Sequence, residues 1–338
     1  MTSATVRSMT RKTFFLGVNT GFVREGLPDQ RFLDFYARRA SAELDCAIVG
    51  NVVIPGGFGS NAVTPRLTAD AIWGDVASAI AEHGVRPGIQ LATAWETYVG
   101  SRKFVSKSSG NVIASGQEMV SRLTALDLSA LLAEFENGVA IALNHGFAHI
   151  QLHAAHGYLL GLLVDGRINP QADIVLDGLA KIANYLRSRD VESSIRISIK
   201  SGDKDFDSRG TDDFHAAIVG LDFDFVDLSS GYYNIDKRLI YPTRAEFISR
   251  RFAETMYLAK NFQGQDFILS GKALRYTSDD LPANIHLGIC RDLIANPDVL
   301  RNPRNGCQNL NKCHYYSRGE QHLTCGRWAK DAMEPAPG

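Results

Sequence analysis

The chain has 338 residues, of which 45% are hydrophobic and 22% charged, close to the averages of globular proteins. Its 36 Lys and Arg residues against 37 Asp and Glu residues leave a net charge of −1. This composition excludes a disordered chain, and it provides no basic surface of the kind that binds nucleic acid or an anionic membrane.

Several global features bear on where the protein works. No run of 18 apolar residues occurs, so we expect no transmembrane helix and no membrane partner. The first 22 residues lack the apolar stretch and cleavage site of a secretory signal. Five cysteines, an odd number, argue against a disulfide framework and favour a reducing compartment, so we expect a cytoplasmic protein. The composition leaves homo-oligomerisation open.

Eight short apolar runs recur along the chain, each typical of a strand that is buried on both faces. The runs span residues 13–18, 46–54, 87–93, 148–152, 194–199, 223–229, 266–270 and 285–290. A segment with helical amphipathic spacing follows each run. These segments lie near residues 29–43, 68–83, 128–146, 173–189, 210–220, 243–262, 277–282 and 291–300.

Eight strand–helix units predict an α/β fold, the (β/α)8 or TIM barrel. The alternative is a doubly wound open sheet, which usually has fewer strands, and no GxGxxG follows the first strand. Two stretches exceed a minimal barrel: a long insert after strand three (95–127) and a short C-terminal tail (302–338). We interpret residues 1–338 as a single domain, in which 95–127 is either a lid over the site or a mobile insertion.

In such a barrel, catalytic residues lie at the C-terminal ends of the strands. Polar residues or glycines lie in or after nearly every predicted strand. They are Asn19, Thr20, Gly50, Asn51, Gln90, His153, Arg196, Ser229, Ser230, Gly271, Lys272 and Arg291. The sequence therefore predicts a ring of hydrogen-bonding groups around the barrel axis.

The segment HAAHGYLL, residues 153–160, is the most informative of these strand ends. Two neutral imidazoles, His153 and His156, can donate to one carbonyl oxygen, and the Tyr158 hydroxyl can deliver a proton. The alternatives are a helix start with two solvent-facing histidines, and a zinc site that adds His149. No carboxylate lies within the cluster to join a metal, so we expect no metal ligands here.

The ends of strands seven and eight predict an anion site. Gly271 and Lys272 offer backbone N–H groups and Arg291 a guanidinium, where barrels often hold phosphate. The alternative for Arg291 is a helix-start residue paired with Asp292 or Asp298.

Three cysteines of the tail have the spacing C-x5-C-x11-C: Cys307, Cys313 and Cys325. Zinc and iron–sulfur sites usually have four protein ligands. We therefore favour free thiols or a lost cluster over a site completed by His314 or His322.

Together, these segments resemble the old yellow enzyme family of FMN-dependent ene-reductases, from about Phe14 to Asn302. HAAHGYLL resembles the family's H-x-x-[NH]-G-Y-L signature. GVNTGF with GLPDQRFLDFYARRA resembles its first strand and helix, GIQLATA its third strand, SIRISI its fifth, and LGICRDLIANPDVL its phosphate-binding closing segment. The resemblance implies a barrel that binds FMN and takes NADPH or NADH as reductant.

The resemblance also implies a role for each matching position. Gln90 would bond the pyrimidine edge of the flavin, and Arg196 the N1/O2 side, where a cation stabilises anionic reduced flavin. Thr20 would tune the flavin by a hydrogen bond near O4. The other cofactor contacts it implies are Asn19 and Gly50 beside the ring, and Gly271, Lys272, Cys290 and Arg291 around the phosphate.

By the same resemblance, the expected partner is a small-molecule enone whose C=C bond is reduced. His153 and His156 would bind its carbonyl oxygen. Tyr158 would protonate the α-carbon after hydride passes from flavin N5 to the β-carbon. NAD(P)H would reduce the flavin first, in a ping-pong cycle.

The chain departs from the family pattern mainly at the substrate rim. The run after the histidine motif reads QADIVLDG (171–178) instead of R-x-D-x-Y-G-G-S, and the third strand ends in TAWE (93–96) instead of H-A-G-R. Three alternatives to this function stay open, and the last of them rests on His149, His153 and His156 as metal ligands. They are a flavin enzyme redirected to oxidation or isomerisation, a non-catalytic flavin-binding protein, and a metal-dependent barrel hydrolase.

Overall fold

Eight parallel strands close into a barrel in the computed structural model, which describes residues 10–328. The strands are β1 (Thr13–Phe15), β2 (Cys46–Val53), β3 (Arg86–Ala92), β4 (His149–Ala154), β5 (Glu192–Ser198), β6 (Phe225–Ser229), β7 (Asp266–Leu269) and β8 (Ile285–Ile289). Pairing of β8 with β1 closes the ring. The predicted (β/α)8 barrel is confirmed, and every apolar run overlaps its strand.

Helices follow the strands along the chain. Those that match the predicted segments span Gln30–Ala37, Ile72–Ala81, Ala125–Asn144, Ala172–Ser188, Thr211–Val219, Ala245–Asn261 and Arg291–Ala295. Additional short elements lie in the loops. They are a hairpin of Val23–Arg24 with Leu27–Pro28, the helices Leu159–Leu163, Lys204–Asp207, Lys237–Ile240 and Tyr315–Arg318, and 3₁₀ turns at Ala273–Arg275, Ser278–Asp280 and Pro303–Asn305. Within residues 10–328, no helix combines the length and apolar character needed to cross a membrane.

The predicted helix over 277–282 is wrong. The structure has only the 3₁₀ turn Ser278–Asp280 there. The Asp280 carboxylate accepts hydrogen bonds from the backbone N–H and the hydroxyl of Thr277, both at 2.8 Å, which closes a local turn in competition with a helix. Pro282 follows two residues later and cannot continue a helical ladder.

The insert after β3 contains a helix that its Ser- and Gly-rich composition conceals. This helix, Ser109–Ser121, buries Ile113 and Val120. Gly116 lies against the side chain of Leu162 in the short helix Leu159–Leu163, where a Cβ would make an ordinary van der Waals contact at 3.5 Å. The next helix begins three residues before the predicted start, because Thr124 and Asp127 form a capping box that satisfies its first N–H groups.

The barrel interior is unusually polar for this fold, in which branched apolar side chains normally fill the layers. An apolar cluster occupies part of it: Phe14, Leu16, Cys46, Ile48, Phe225 and Ile268. The His149 ring lies 5.7 Å from the Phe14 ring, so β4 turns its odd-numbered residues inward. Gln151 and His153 follow on the same face, and this row leads towards the C-terminal end of the barrel.

A matched pair of leucine substitutions tests the helix-on-barrel packing. Leu179 lies in Ala172–Ser188 and is fully buried, whereas Leu126 lies in Ala125–Asn144 and is 79% exposed. We expect Leu179→Ala to lower the free energy of unfolding by about 2–5 kcal/mol because it leaves a cavity. Leu126→Ala should change it by no more than about 0.5 kcal/mol. Urea denaturation measures both, and equal losses would contradict the packing described.

Candidate active site

A cavity opens at the C-terminal ends of the strands, with about 1320 Å³ of empty space when its mouth is included. Eleven of the strand-end and cofactor-site residues singled out from the sequence line it: Asn19, Asn51, Gln90, His153, His156, Tyr158, Arg196, Gly271, Lys272, Cys290 and Arg291. These residues come from loops and strands that are far apart in the chain. The expected ring of hydrogen-bonding groups therefore surrounds one cavity.

Two of the expected cofactor contacts, Thr20 and Gly50, do not line the cavity wall, and neither do Ser229 and Ser230 of the predicted ring. Thr20 is fully buried, and its hydroxyl accepts a hydrogen bond from the Phe22 N–H at 3.2 Å. Gly50 donates its N–H to the hydroxyl of Tyr36 at 3.2 Å. At these two positions the neighbouring Asn19 and Asn51 are the residues that face the cavity.

His153, His156 and Tyr158 form one cluster in the cavity wall. The ring centroid of His153 lies 5.1 Å from that of His156 and 5.3 Å from that of Tyr158, with the rings nearly perpendicular in both pairs. Nδ1 of His153 is buried and finds no hydrogen-bond partner among residues 10–328. A buried nitrogen without a partner costs free energy, which a ligand in the cavity could recover.

His156 is held in an unfavourable backbone conformation. Its φ is +63°, in the left-handed region that residues other than glycine rarely adopt. Two serines from neighbouring strands secure it: the backbone N–H donates to Ser198 Oγ at 2.9 Å, and Nε2 is 2.7 Å from Ser229 Oγ. Strain that surrounding contacts maintain is typical of a residue whose position matters for function.

Burial determines the protonation of this cluster. Desolvation lowers the pKa of His153 to about 3, and the Arg196 guanidinium lowers it further by charge repulsion. Desolvation also holds the pKa of His156 well below its ordinary value. Burial raises the pKa of Tyr158 to about 12, with the Ser60 hydroxyl acting in the opposite direction. At neutral pH the cavity thus presents two uncharged imidazoles and a protonated phenol.

A second polar group lies deeper in the cavity, around Arg196 and Gln90. Arg196 faces inward and forms a salt bridge with the fully buried Asp227. Gln90 donates from Nε2 to Gln151 Oε1 at 2.5 Å. This bond uses one of the two N–H donors of Nε2, so the second N–H and the amide oxygen of Gln90 remain for a ligand. The two groups together offer a cation and an amide to a ligand in the cavity.

The loops after β7 and β8 form the cationic end of the cavity. Gly271 has a φ of +85°, and Lys272, with a φ of +76°, points its Nζ at Asp292 Oδ1 at 2.9 Å. Arg291 donates to the Pro242 carbonyl oxygen at 2.5 Å. Burial raises the pKa of the Cys290 thiol to about 12, so this group stays uncharged and does not repel an anion.

The alternative of a zinc site on three histidines is not supported by their positions. Nδ1 of His149 is 2.9 Å from Glu192 Oε1, and its Nε2 is 2.7 Å from Ser194 Oγ, so both ring nitrogens are engaged at the opposite end of β4 from His153. Within the described part of the chain, no group of three or more His, Cys, Asp or Glu side chains is arranged to hold a metal ion. The five cysteines are unpaired.

The C-terminal tail provides one wall of the cavity, although the sequence suggested Cys313 and His314 only as possible metal ligands and did not indicate Tyr315 or Tyr316. Cys313, His314, Tyr315 and Tyr316 line the cavity mouth. The tail is anchored to the first loop, since the Leu323 N–H donates to the Thr20 carbonyl oxygen at 2.7 Å. The pair of adjacent tyrosines was the available signal, but only the folded chain shows that the tail returns across the barrel.

Lys237 joins three segments beside this cavity. Its Nζ donates to the Ser101 carbonyl oxygen in the insert and, at 2.8 Å, to Ser317 Oγ in the tail. It also lies 4.0 Å from the ring centroid of Tyr233, which sequence analysis also missed as a cavity residue. Part of the insert therefore lies on the cavity face of the barrel, while its action as a lid stays a prediction.

Comparisons with known proteins find two relatives that carry oxidoreductase names. The chain is 25% identical over 202 residues to NADH-dependent flavin oxidoreductase iliE of Hypocrea jecorina (strain QM6a), covering 52% of this chain and 49% of that protein. It is 33% identical over 106 residues to an NADPH dehydrogenase of Geobacillus sp. (strain WCH70), covering 29% of each. The alignments thus span at most about half the length of these curated relatives. No protein-family model matches the chain.

The fold is similar to that of the old yellow enzyme homologue from Zymomonas mobilis. The TM-score is 0.62 at 16% sequence identity, over 87% of this chain and 88% of that one. The predicted resemblance to the old yellow enzyme family is thus confirmed in the fold and in parts of the sequence.

The burial of His153 has a measurable consequence for acid stability. Its pKa is lower in the folded chain than the ordinary value of about 6.5, so the unfolded chain takes up the proton first as pH falls. We expect this histidine to destabilise the fold progressively between about pH 6.5 and pH 3. His153→Gln should therefore flatten the decline in unfolding free energy across that window, with His83→Gln, an exposed histidine, as the substitution control. An imidazole resonance of His153 that titrates near pH 6.5 by NMR would contradict the assignment.

Proposed function

We propose that this chain is an FMN-dependent NAD(P)H oxidoreductase that reduces the C=C bond of an α,β-unsaturated carbonyl compound. The observation that carries the proposal is the cluster of His153, His156 and Tyr158 at the C-terminal face of the barrel. It combines two uncharged imidazoles with a protonated phenol within 5.3 Å between neighbouring ring centroids. The relatives named as flavin oxidoreductase and NADPH dehydrogenase support the cofactor and the reductant.

The residues of the cavity fit FMN as a cofactor. A buried ring nitrogen of His153 without a partner among residues 10–328, and the cations Arg196, Lys272 and Arg291, suit an elongated anion that has a planar polar ring at one end and a phosphate at the other. Gln90 and Arg196 would hold the pyrimidine edge of the ring. Lys272 and Arg291, with the backbone beside Gly271, would hold the phosphate. Bound FMN would supply the hydride chemistry, accepting a hydride from NAD(P)H and passing it on.

The two histidines would bind and polarise the substrate. Uncharged imidazole N–H groups can donate to a carbonyl oxygen and stabilise the negative charge that develops on it. His153 Nδ1 has no partner among residues 10–328, and Ser229 engages only one ring nitrogen of His156. Donors that are fixed in place by packing cost little reorganisation when charge develops.

Tyr158 would supply the proton that completes the reduction. Its side chain lies beside His153, and its phenol remains protonated throughout the neutral range because burial raises its pKa to about 12. General acid catalysis by a positioned side chain typically contributes about 10²–10⁴-fold in rate. The ring of Tyr98 packs edge-on at 5.3 Å and fixes the orientation of the donor.

The visible spectrum of the purified protein is the first test of this proposal. We expect a flavin spectrum that bleaches on anaerobic addition of NADPH or NADH, because the cavity fits FMN. A flavin spectrum that neither nucleotide bleaches would favour the redirected enzyme or the binding protein. A colourless protein that takes up no added FMN would overturn the proposal.

Replacing the proposed proton donor separates the two half-reactions. We expect Tyr158→Phe to slow alkene reduction by about 10²-fold or more, since a general acid is lost, and to leave the rate of flavin reduction nearly unchanged. Stopped-flow absorbance measures each half-reaction on its own. Tyr185→Phe, which removes the hydroxyl of a tyrosine on an outer helix, is the matched control. Equal losses in both half-reactions would contradict the donor role of Tyr158.

A further inference from the structure

A continuous polar row crosses the barrel interior beneath the cavity. Strand register places Gln90 of β3 beside Gln151 of β4, Gln151 beside Ser194 of β5, and Arg196 of β5 beside Asp227 of β6. All five side chains are at least largely buried, and Gln151, Ser194 and Asp227 are fully so. Two members of the row, Gln90 and Arg196, face the cavity, and the other three lie behind them.

Hydrogen bonds connect the row from end to end. Gln151 accepts from Gln90 through Oε1 at 2.5 Å, and its Nε2 donates to Ser194 Oγ at 3.0 Å and to Asp227 Oδ2 at 3.2 Å. Asp227 Oδ2 is also the partner of Arg196 in the salt bridge. The amide of Gln151 thus links the two groups that face the cavity, and Asp227 is the carboxylate that balances the guanidinium.

The row is costly for stability alone. A buried ion pair generally stabilises a fold no more than well-packed apolar residues of similar volume, since removing two charges from water costs several kcal/mol each. Asp227 also leaves its Oδ1 without a partner among residues 10–328. A polar arrangement of this kind at the floor of a ligand cavity is better explained by what it does to the ligand.

We infer that Asp227 and Gln151 are positioning residues that set the charge and orientation of Arg196 and Gln90 towards bound FMN, with Asp227 keeping the reduction potential of the flavin low. This inference rests on the proposed function. Reduced FMN carries a negative charge on its ring, which a nearby cation stabilises. Asp227 offsets part of the Arg196 charge, so it weakens this stabilisation. Gln151 contributes no charge and acts only on orientation.

The flavin itself reports the effect, independently of turnover. We expect Asp227→Asn, which keeps the shape of the side chain and removes the charge, to raise the ratio of the FMN Kd in the oxidised state to that in the reduced state by about tenfold. For a two-electron couple this corresponds to a potential about 30 mV more positive. Dye equilibration under anaerobic conditions measures the potential, and titration of the apoprotein measures both affinities. Should this variant fail to fold, Asp227→Ser removes the same charge.

Two further variants separate charge from packing. Gln151→Met is neutral and similar in length, so we expect the Kd ratio to change by less than about threefold, with weaker FMN binding in both states. In an Arg196→Gln background, Asp227→Asn should shift the potential no further, because a buried carboxylate without a cation becomes protonated. A potential unchanged in Asp227→Asn, or shifted equally with and without Arg196, would overturn the inference.

These outcomes distinguish the inference from the proposed function. If the wild-type protein binds FMN and NAD(P)H bleaches it, but Asp227→Asn leaves the potential unchanged, only the role of Asp227 is wrong. If the wild-type protein takes up no FMN, both fail together.

Discussion

The parallel register of the barrel is the constraint on which the site depends. It pairs His153 with Arg196 across β4 and β5, and Arg196 with Asp227 across β5 and β6. A shift of one residue in any of these pairs would turn the inward row to the outer face, because side chains alternate along a strand. The cavity chemistry is therefore built into the hydrogen bonding of the sheet.

Burial decides what these side chains can do. The same desolvation that keeps His153 uncharged also keeps Tyr158 protonated, so one physical cause supplies both the imidazole and the phenol on which the proposed reduction depends. Arg196 differs from these two residues, because it forms a salt bridge with a buried carboxylate, that of Asp227. The cavity thus combines the uncharged imidazoles and phenol with two largely buried ion pairs, Arg196–Asp227 and Lys272–Asp292.

Local patterns predicted the barrel and most of the cavity. Apolar runs and residues at strand ends are properties of neighbouring positions, and they led to His153, Gln90 and Arg291. Gln151 and Asp227 escaped notice because their importance comes from pairing across strands. The cavity wall formed by the C-terminal tail could not be predicted for a related reason. Tyr316 reaches the cavity through contacts distant in sequence, such as the hydrogen bond that its hydroxyl donates to the Gly100 carbonyl oxygen, 216 residues earlier. The prediction of a helix over 277–282 was wrong because the Asp280 carboxylate closes a turn there.

The return of the tail across the barrel mouth orders events during synthesis. The residues from Cys313 to Tyr316 follow β8 in the chain, so all eight strands leave the ribosome before this wall exists. The cavity is therefore complete only when the tail has packed against the barrel. Access to the site depends on a segment that belongs to none of the eight strand–helix units.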